Sequence, residues 1–515
     1  MTSGVGRQVR PPRTPGARTA SGQVRLLPVI AGCVLLGLLL RAPFLAGDLQ
    51  SDEAGLLLVV RHWNPGESTV YGDYWVDRPP LLLGYFWLAD LLPGVIGVRL
   101  LGLPVSVLLV SAAVVAGRSL GRRSGAWSAG VVAASLGSSY LLAGYQVNGM
   151  LQGAALVMTA CAVAIAAFNR SGGAGRHLLW ALSGALGLCA VLVKQNLVGG
   201  LVFALVLALA SGWSLRASPR HSVLSVLTVV GGAAAAIGAM LGWATLTGVD
   251  RSQLWYSLYR FRLDAAEAIS GASMAAPLER LGTLAASFAV SGLLFLVVLF
   301  LVSLPALWRD RSRRVYTAGV LAMSVEALVG ITGGGSWWNN YLLQLVPAAS
   351  LMAALCAGRR GRRTIAAAVA VACTVAASVC SVLVGIQIDR EPRPQVLVAR
   401  ELAAVAEPGD TAFVAYGNAE ILLYSGLDSD YPHLWSLPMR VLDPRQEALT
   451  AKLNGAHPPT WIVQIDSLNA WDVDADGELA RAVERRYRPV ATVCDLTVHL
   501  LRGVDRPAPP DAVCE

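Results

Sequence analysis

Apolar runs of about one bilayer thickness recur along most of this 515-residue chain, with arginines clustered between them. A helix needs about 20 apolar residues to cross hydrocarbon. Only helices and closed barrels satisfy their own backbone N–H and C=O groups there. The alternating ten-residue segments of a barrel are not seen, so the runs predict an all-α polytopic membrane protein. By hydropathy the spans fall at 26–45, 95–117, 124–144, 150–168, 177–193, 195–212, 222–246, 284–304, 316–332, 340–357 and 364–386, about eleven helices. An interrupted apolar stretch at 80–93 reads as re-entrant or interfacial. Composition agrees. The chain is 55% hydrophobic and 14% charged, against roughly a quarter charged in a soluble domain.

Charge placement sets an expected orientation. Residues 1–25 carry Arg7, Arg10, Arg13, Arg18 and Arg25 and no acid, and read as a disordered basic tail. The run that follows fits a retained helix better than a cleaved leader, since no small-x-small site follows Leu40. Basic residues then follow every even-numbered span: Arg118, Arg122 and Arg123; Arg170 and Arg176; Arg216 and Arg220; Arg309, Arg311, Arg313 and Arg314; Arg359, Arg360, Arg362 and Arg363. The positive-inside rule places these and the N-terminus in the cytoplasm; the expected host is a plasma (inner) membrane. The net charge of +8 is therefore spread over loops, a pattern that excludes a nucleic-acid-binding face.

The other connections are expected outside. The first outer loop, 46–80, is acidic, with Asp48, Asp52, Glu53, Glu67, Asp73 and Asp77 against Arg61 and Arg78. The loop 247–283 mixes Trp255, Tyr256, Tyr259 and Phe261 with charges, as an amphipathic helix in the headgroup layer would. These loops belong to a transmembrane domain over 26–387. Residues 388–515 read as a small extracytoplasmic α/β domain, with strand-like runs at 411–416, 460–464 and 489–501 and helix-like runs at 395–406 and 476–486. Six of the eight cysteines lie in apolar segments; Cys494 and Cys514 do not, and an oxidising exterior would let them pair. No Cys/His ligand spacing and no nucleotide-binding motif occurs.

Several polar residues at outer span ends admit two readings. Asp52-Glu53 is either a solvated turn or a general base that removes a proton from an incoming hydroxyl. Asp77-Arg78-Pro79-Pro80 is either a rigid entry into the next apolar stretch, or a site where Arg78 offers its donor fork to a phosphate. Lys194, in Lys194-Gln195-Asn196, is either an interfacial anchor that snorkels or a phosphate ligand; at mid-helix a lysine would cost roughly 2.5–3.5 kcal/mol. Arg99 has the same ambiguity. Trp337-Trp338-Asn339-Asn340-Tyr341 forms an aromatic belt or a surface for stacking on a sugar ring.

Four stretches together resemble the membrane-embedded C-type (GT-C) glycosyltransferases, in the branch of protein mannosyltransferases and aminoarabinose transferases. They are Ser51-Asp52-Glu53-Ala54, Tyr71-Gly72-Asp73-Tyr74 through Asp77-Arg78-Pro79-Pro80-Leu81-Leu82, Val98-Arg99-Leu100, and Asn340-Tyr341-Leu342-Leu343 with Pro347. The resemblance covers residues 26–360. It implies inverting transfer of a sugar from a polyprenyl-phosphate donor to an outward-facing hydroxyl on a glycan, lipid or protein, in cell-envelope glycan synthesis or modification. It makes Asp52 the base with Glu53 beside it, and Arg78 the phosphate ligand, with Lys194 matched less closely. Some relatives hold a divalent metal near the acid matched by Asp77. The chain departs from the pattern at Asn148, where relatives carry a second acid. An amide orients a hydroxyl but is no base at neutral pH. Two other classes stay open: a lipid-linked-sugar flippase, which would show midplane charges and repeated broken helices, and a catalytically inactive partner of the same fold.

Overall fold

The computed structural model describes residues 26–510 apart from 67, 215–218, 272 and 358–361. The basic tail, Cys514, Arg216, Arg359 and Arg360 lie outside the described residues. The first helices are α1 (Leu27–Arg41), α2 (Ser51–Arg61), α3 (Pro80–Asp90), α4 (Ile96–Gly137), α5 (Met150–Asn169), α6 (Ala174–Val191), α7 (Gly199–Ser214) and α8 (Pro219–Leu246). Then come α9 (Arg251–Trp255), a π-helical turn at Tyr256–Arg260, α10 (Phe261–Ser270), α11 (Ala275–Val290), α12 (Leu293–Arg309), α13 (Arg314–Thr332), a 3-10 segment at Asn339–Leu345, α14 (Val346–Ala357) and α15 (Arg362–Ile388). Among the described residues eight helices are long and apolar enough to cross a membrane; counting the bent pair α11–α12 makes nine. This is a multi-pass membrane protein.

Sequence breaks explain where the helices turn. The 42-residue α4 is interrupted at Gly121-Arg122, where Arg122 has φ 57°. The chain folds back there, so that Gly117 faces the carbonyl of Gly125, and a Cβ on Gly117 would stand 2.4 Å from that oxygen. Small residues permit this approach, as they do between helices in lipid. Gly292, at φ 88°, marks the 64° bend between α11 and α12. The run expected as one span at 284–304 is thus a broken pair, because glycine there releases the backbone from αR.

The basic connections gather at one end of the bundle. Ser124 Oγ donates to the carbonyl of Ala357 at 3.1 Å, Arg313 to that of Leu355 at 2.8 Å, and Tyr316 Oη to Asn169 Oδ1 at 2.6 Å. The opposite end carries the first acidic loop, the turn 138–149, the turn 192–198, helices α9 and α10, and the 3-10 segment. The acidic loop is more ordered than an exposed connection: α2 fills much of it, and the doubtful stretch at 80–93 is the helix α3. Pro79 is extended (φ −66°, ψ 153°) and Pro80 starts α3, as the stiffness of a proline pair dictates.

After α15 come α16 (Pro394–Val405), β1 (Ala412–Val414), α17 (Glu420–Ser425), α18 (Ser436–Leu442), α19 (Glu447–Asn454), β2 (Trp461–Gln464), α20 (Glu478–Arg486), β3 (Tyr487–Val493) and β4 (Leu496–Leu501). The sheet order is β1-β2-β4-β3, with β1 and β2 parallel and the other pairs antiparallel. The run expected as one strand at 489–501 is a hairpin. Cys494 and Asp495 both take positive φ (50° and 64°), the conformation of a two-residue turn that suits strand twist. Cys494 is disulfide-bonded. This region shares one hydrophobic core with the acidic loop: Leu49, Leu56, Tyr71 and Tyr74 pack with Val398, Ala412, Ile421 and Val498. Trp75 N–H donates to the Pro432 carbonyl at 2.9 Å, and Ser429 N–H to Tyr74 Oη at 2.9 Å. The sheet is thereby anchored over the end of the bundle that carries the acidic loop.

Candidate active site

Glu53 and Asp52 are neighbours with opposite surroundings. Glu53 is the third residue of α2, and one carboxylate oxygen reaches back to the N–H of Gln50 at 3.1 Å, half of a capping box. The same oxygen pairs with Arg99 at 2.9 Å, and the other accepts from the N–H of Val147 at 2.7 Å. Arg99 also donates to the carbonyls of Asp48 and Tyr145, each at 2.9 Å, while Arg41 reaches those of Gly144 and Tyr145 at 2.6 and 2.8 Å. Glu53 and Arg99 are 0% and 2% exposed. The two residues named from the sequence as base and ligand are therefore buried in a brace that fixes α2 to the turn before α5, and neither lines the cavity.

Asp52 faces the other way, into a cavity of about 640 Å³. Asp77, Arg78, Asn148, Lys194, Asn340 and Tyr341 line the same cavity. Among the described residues Asp52 makes no hydrogen bond or ion pair. Its position at the first turn of α2 sets a carboxylate where the helix dipole favours negative charge.

Opposite stands a cationic group. Asp77 gives one carboxylate oxygen to Arg78 and the other to Arg262 of α10. Burial opposes the Asp77 carboxylate, but Arg262, Arg78 and Lys194 outweigh it and hold its pKa below the usual carboxylate range. Gln195 Nε2 ties this arrangement together, donating to the carbonyls of Asp77 at 2.6 Å and Leu258 at 3.2 Å. Lys194 follows α6 and is 6% exposed. Its ammonium stands 5.2 Å from the centre of the Tyr341 ring and has no hydrogen-bond partner among the described residues. Burial, then the neighbouring Arg78, push it down to about 7. Arg280 of α11 lines the cavity as well, over the Trp338 ring at 4.6 Å.

The residues present do not fit a metal. Both oxygens of Asp77 are taken by arginines, and among the described residues no three His, Cys, Asp or Glu side chains are grouped to hold an ion.

Asn148 lies at the cavity wall with its amide turned to its own loop: it donates to Gln146 Oε1 at 3.1 Å and accepts from Met150 N–H at 3.4 Å. Among the cavity residues that escaped the sequence reading are Arg262, Arg280, Asn418 and Trp435. Arg262 and Arg280 sit in or beside a loop whose composition equally fits a helix lying in headgroups. Asn418 and Trp435 come from the region after α15, which nothing local ties to the acidic loop. Their proximity is made by Ala419 N–H, which donates to Ser51 Oγ at 3.3 Å, and by the Trp435 ring, which packs on Gly55.

A second cavity has a volume of about 480 Å³. Its walls are apolar: Pro80, Leu81 and Trp87 of α3, Leu192, and Met240 and Trp243 of α8.

No protein-family model and no curated protein matches the sequence. Solved structures do match the fold. ArnT from Cupriavidus metallidurans in the apo state is 13% identical with a TM-score of 0.60, covering 93% of this chain and 98% of ArnT. The same protein bound to undecaprenyl phosphate is 14% identical with a TM-score of 0.57, over the same shares of the two chains. The oligosaccharyltransferase of Archaeoglobus fulgidus, tethered to an acceptor peptide, is 11% identical with a TM-score of 0.52, covering 91% of this chain and 72% of that one. Both are GT-C glycosyltransferases. The chain has the GT-C fold.

Proposed function

We propose that this protein transfers a sugar from a polyprenyl-phosphate donor to an acceptor hydroxyl, with inversion, at the membrane face opposite its basic loops. One observation carries the reading: Asp52, a carboxylate with no partner among the described residues, shares a cavity with Arg78, Lys194 and Arg262; a second, apolar cavity lined by Pro80 and Leu192 suits a lipid tail. Pro80 and Leu192 of the apolar wall lie two residues from Arg78 and Lys194 in sequence. A protein of the same fold has been solved with undecaprenyl phosphate.

The chemistry follows from charge. Asp52 takes the proton of the acceptor hydroxyl as its oxygen bonds to the anomeric carbon. The anomeric carbon–oxygen bond to phosphate breaks, and its electron pair goes to the phosphate oxygen. Arg78, Lys194 and Arg262 stabilise the charge that grows there, in a site partly screened from water. Asp77 takes no part in proton transfer; it anchors the two arginines. Counting the folded-back α4 as two passes and the shorter α7 as one gives an eleven-pass topology, with the basic end cytoplasmic and the sheet outside.

The test uses full-length protein in lipid vesicles with a panel of radiolabelled polyprenyl-phosphate sugars and envelope extract as acceptor. New glycosidic product that is lost in Asp52→Asn and in Arg78→Ala supports the reading. Movement of labelled lipid across the bilayer with no new glycosidic bond would establish the flippase instead.

A further inference from the structure

The cavity has two unlike walls. The cations, Arg78, Lys194, Arg262 and Arg280, all come from the bundle and its outer loops. The stretches supplied by the region after α15 are Tyr416-Gly417-Asn418 and Trp435-Ser436-Leu437-Pro438, and they carry no charge. Asp52 lies between the two walls. It acts electrostatically on Arg78, Lys194 and Arg262 on one side. On the other side, the chain at Ala419 bonds its neighbour Ser51, and the Trp435 ring covers Gly55 less than one turn away.

The uncharged wall is built to meet a ligand. Tyr416 and Asn418 take positive φ (62° and 58°) on either side of Gly417, conformations that packing must enforce for residues with a side chain. Asn418 lines the cavity, and its amide makes no hydrogen bond among the described residues. In the same cavity, Asn340 is 9% exposed and its Oδ1 has no partner among the described residues. A buried acceptor left unpaired is destabilising, and a ligand hydroxyl would relieve it. Trp337 and Trp435 add flat apolar faces. Amides that both donate and accept, set among aromatic rings, match a molecule with many hydroxyls and apolar C–H faces.

We infer that the acceptor is an uncharged saccharide, held by Asn418 and Trp435 so that one hydroxyl reaches Asp52. This rests on the transferase reading above and names its acceptor class. A phosphorylated glycolipid acceptor would need cations on the wall beyond Asp52, and that wall has none among the described residues. The region after α15 thus selects the acceptor, while the bundle holds the donor.

The experiment measures saturation-transfer NMR from full-length protein in nanodiscs to a panel of neutral di- and trisaccharides. Undecaprenyl phosphate binding is followed in parallel by native mass spectrometry. The informative variant is Asn418→Gly, which removes the amide and tolerates positive φ, so the backbone is not strained further. Trp435→Phe keeps a ring over Gly55. Expected is binding of at least one neutral saccharide, weakened about tenfold or more by Asn418→Gly and less by Trp435→Phe, with undecaprenyl phosphate binding unchanged. Saccharide binding that ignores both variants would overturn the inference, as would selective binding of a phosphorylated glycolipid or a hydroxyl-bearing peptide. Failure of undecaprenyl phosphate to bind wild type would instead count against the donor reading.

Discussion

Two polar regions lie on either side of α2, and they obey opposite rules. In the brace, Glu53, Arg99 and Arg41 tie loop carbonyls and two N–H groups together, and both Glu53 oxygens are occupied, although Arg99 Nε has no partner among the described residues. In the cavity, Asp52 and Lys194 have no hydrogen-bond partner among the described residues. A buried network that is satisfied rigidifies a fold, whereas groups left unsatisfied are held ready for something else. Adjacent residues of one acidic motif thus divide structure from chemistry, because successive positions on a helix point about 100° apart.

The sharpest way to break this contrast is to neutralise each acid alone. Asp52→Asn is expected to lower sugar transfer by about 10²–10⁴-fold, the usual contribution of a general base, with thermal stability within about 0.5 kcal/mol of wild type. Assay of transfer and of unfolding on the same purified sample checks both. Glu53→Gln should do the reverse at the level of the fold. Removing one partner of a buried pair costs about 3–5 kcal/mol, seen as early thermal unfolding or loss of protein from the membrane.

A smaller effect is expected at Gly55. An added Cβ would lie 2.3 Å from the Trp435 ring, so Gly55→Ala should displace that ring at about 1–3 kcal/mol. Acceptor use should suffer more than donor binding, which titrations of each substrate will separate.

The smallest concerns pH. Lys194 is held at about 7 in the free protein, and its ammonium form is the one that attracts phosphate. Undecaprenyl phosphate should therefore bind better below pH 7 and up to about tenfold more weakly by pH 8.5, one charged contact being worth roughly 1.5 kcal/mol or more. Lys194→Arg, always charged, should flatten that profile. A profile of equal slope in both proteins would remove Lys194 from the phosphate site.

Much of the bundle was legible because lipid imposes a simple code. Apolar length and arginine placement gave helices and their turns, including the fold-back at Arg122. Breaks made by backbone conformation were harder: Gly292 hides inside an apolar run, and the Cys494-Asp495 turn inside a strand-like one. The cavity was partly legible. Asp52, Asp77, Arg78, Asn148, Lys194, Asn340 and Tyr341 stand out because polar groups at apolar boundaries are conspicuous, and all seven line it. Glu53 stood out for the same reason and belongs to the brace, since sequence does not reveal which way a helix is rotated. Arg262 was hidden in a segment that fits the headgroup layer equally well. Asn418 and Trp435 were invisible, because only tertiary packing brings the region after α15 onto α2.

The most direct measurement is a cryo-EM structure of the protein in nanodiscs with undecaprenyl phosphate. The expected result places the phosphate against Arg78, Lys194 and Arg262, the isoprenoid along Trp87 and Trp243, and the Asp52 carboxylate unpaired on the far side of the phosphate. A phosphate bound at the basic end of the bundle, or Asp52 locked in an ion pair while the headgroup is seated, would contradict the assignment of Asp52 as the base.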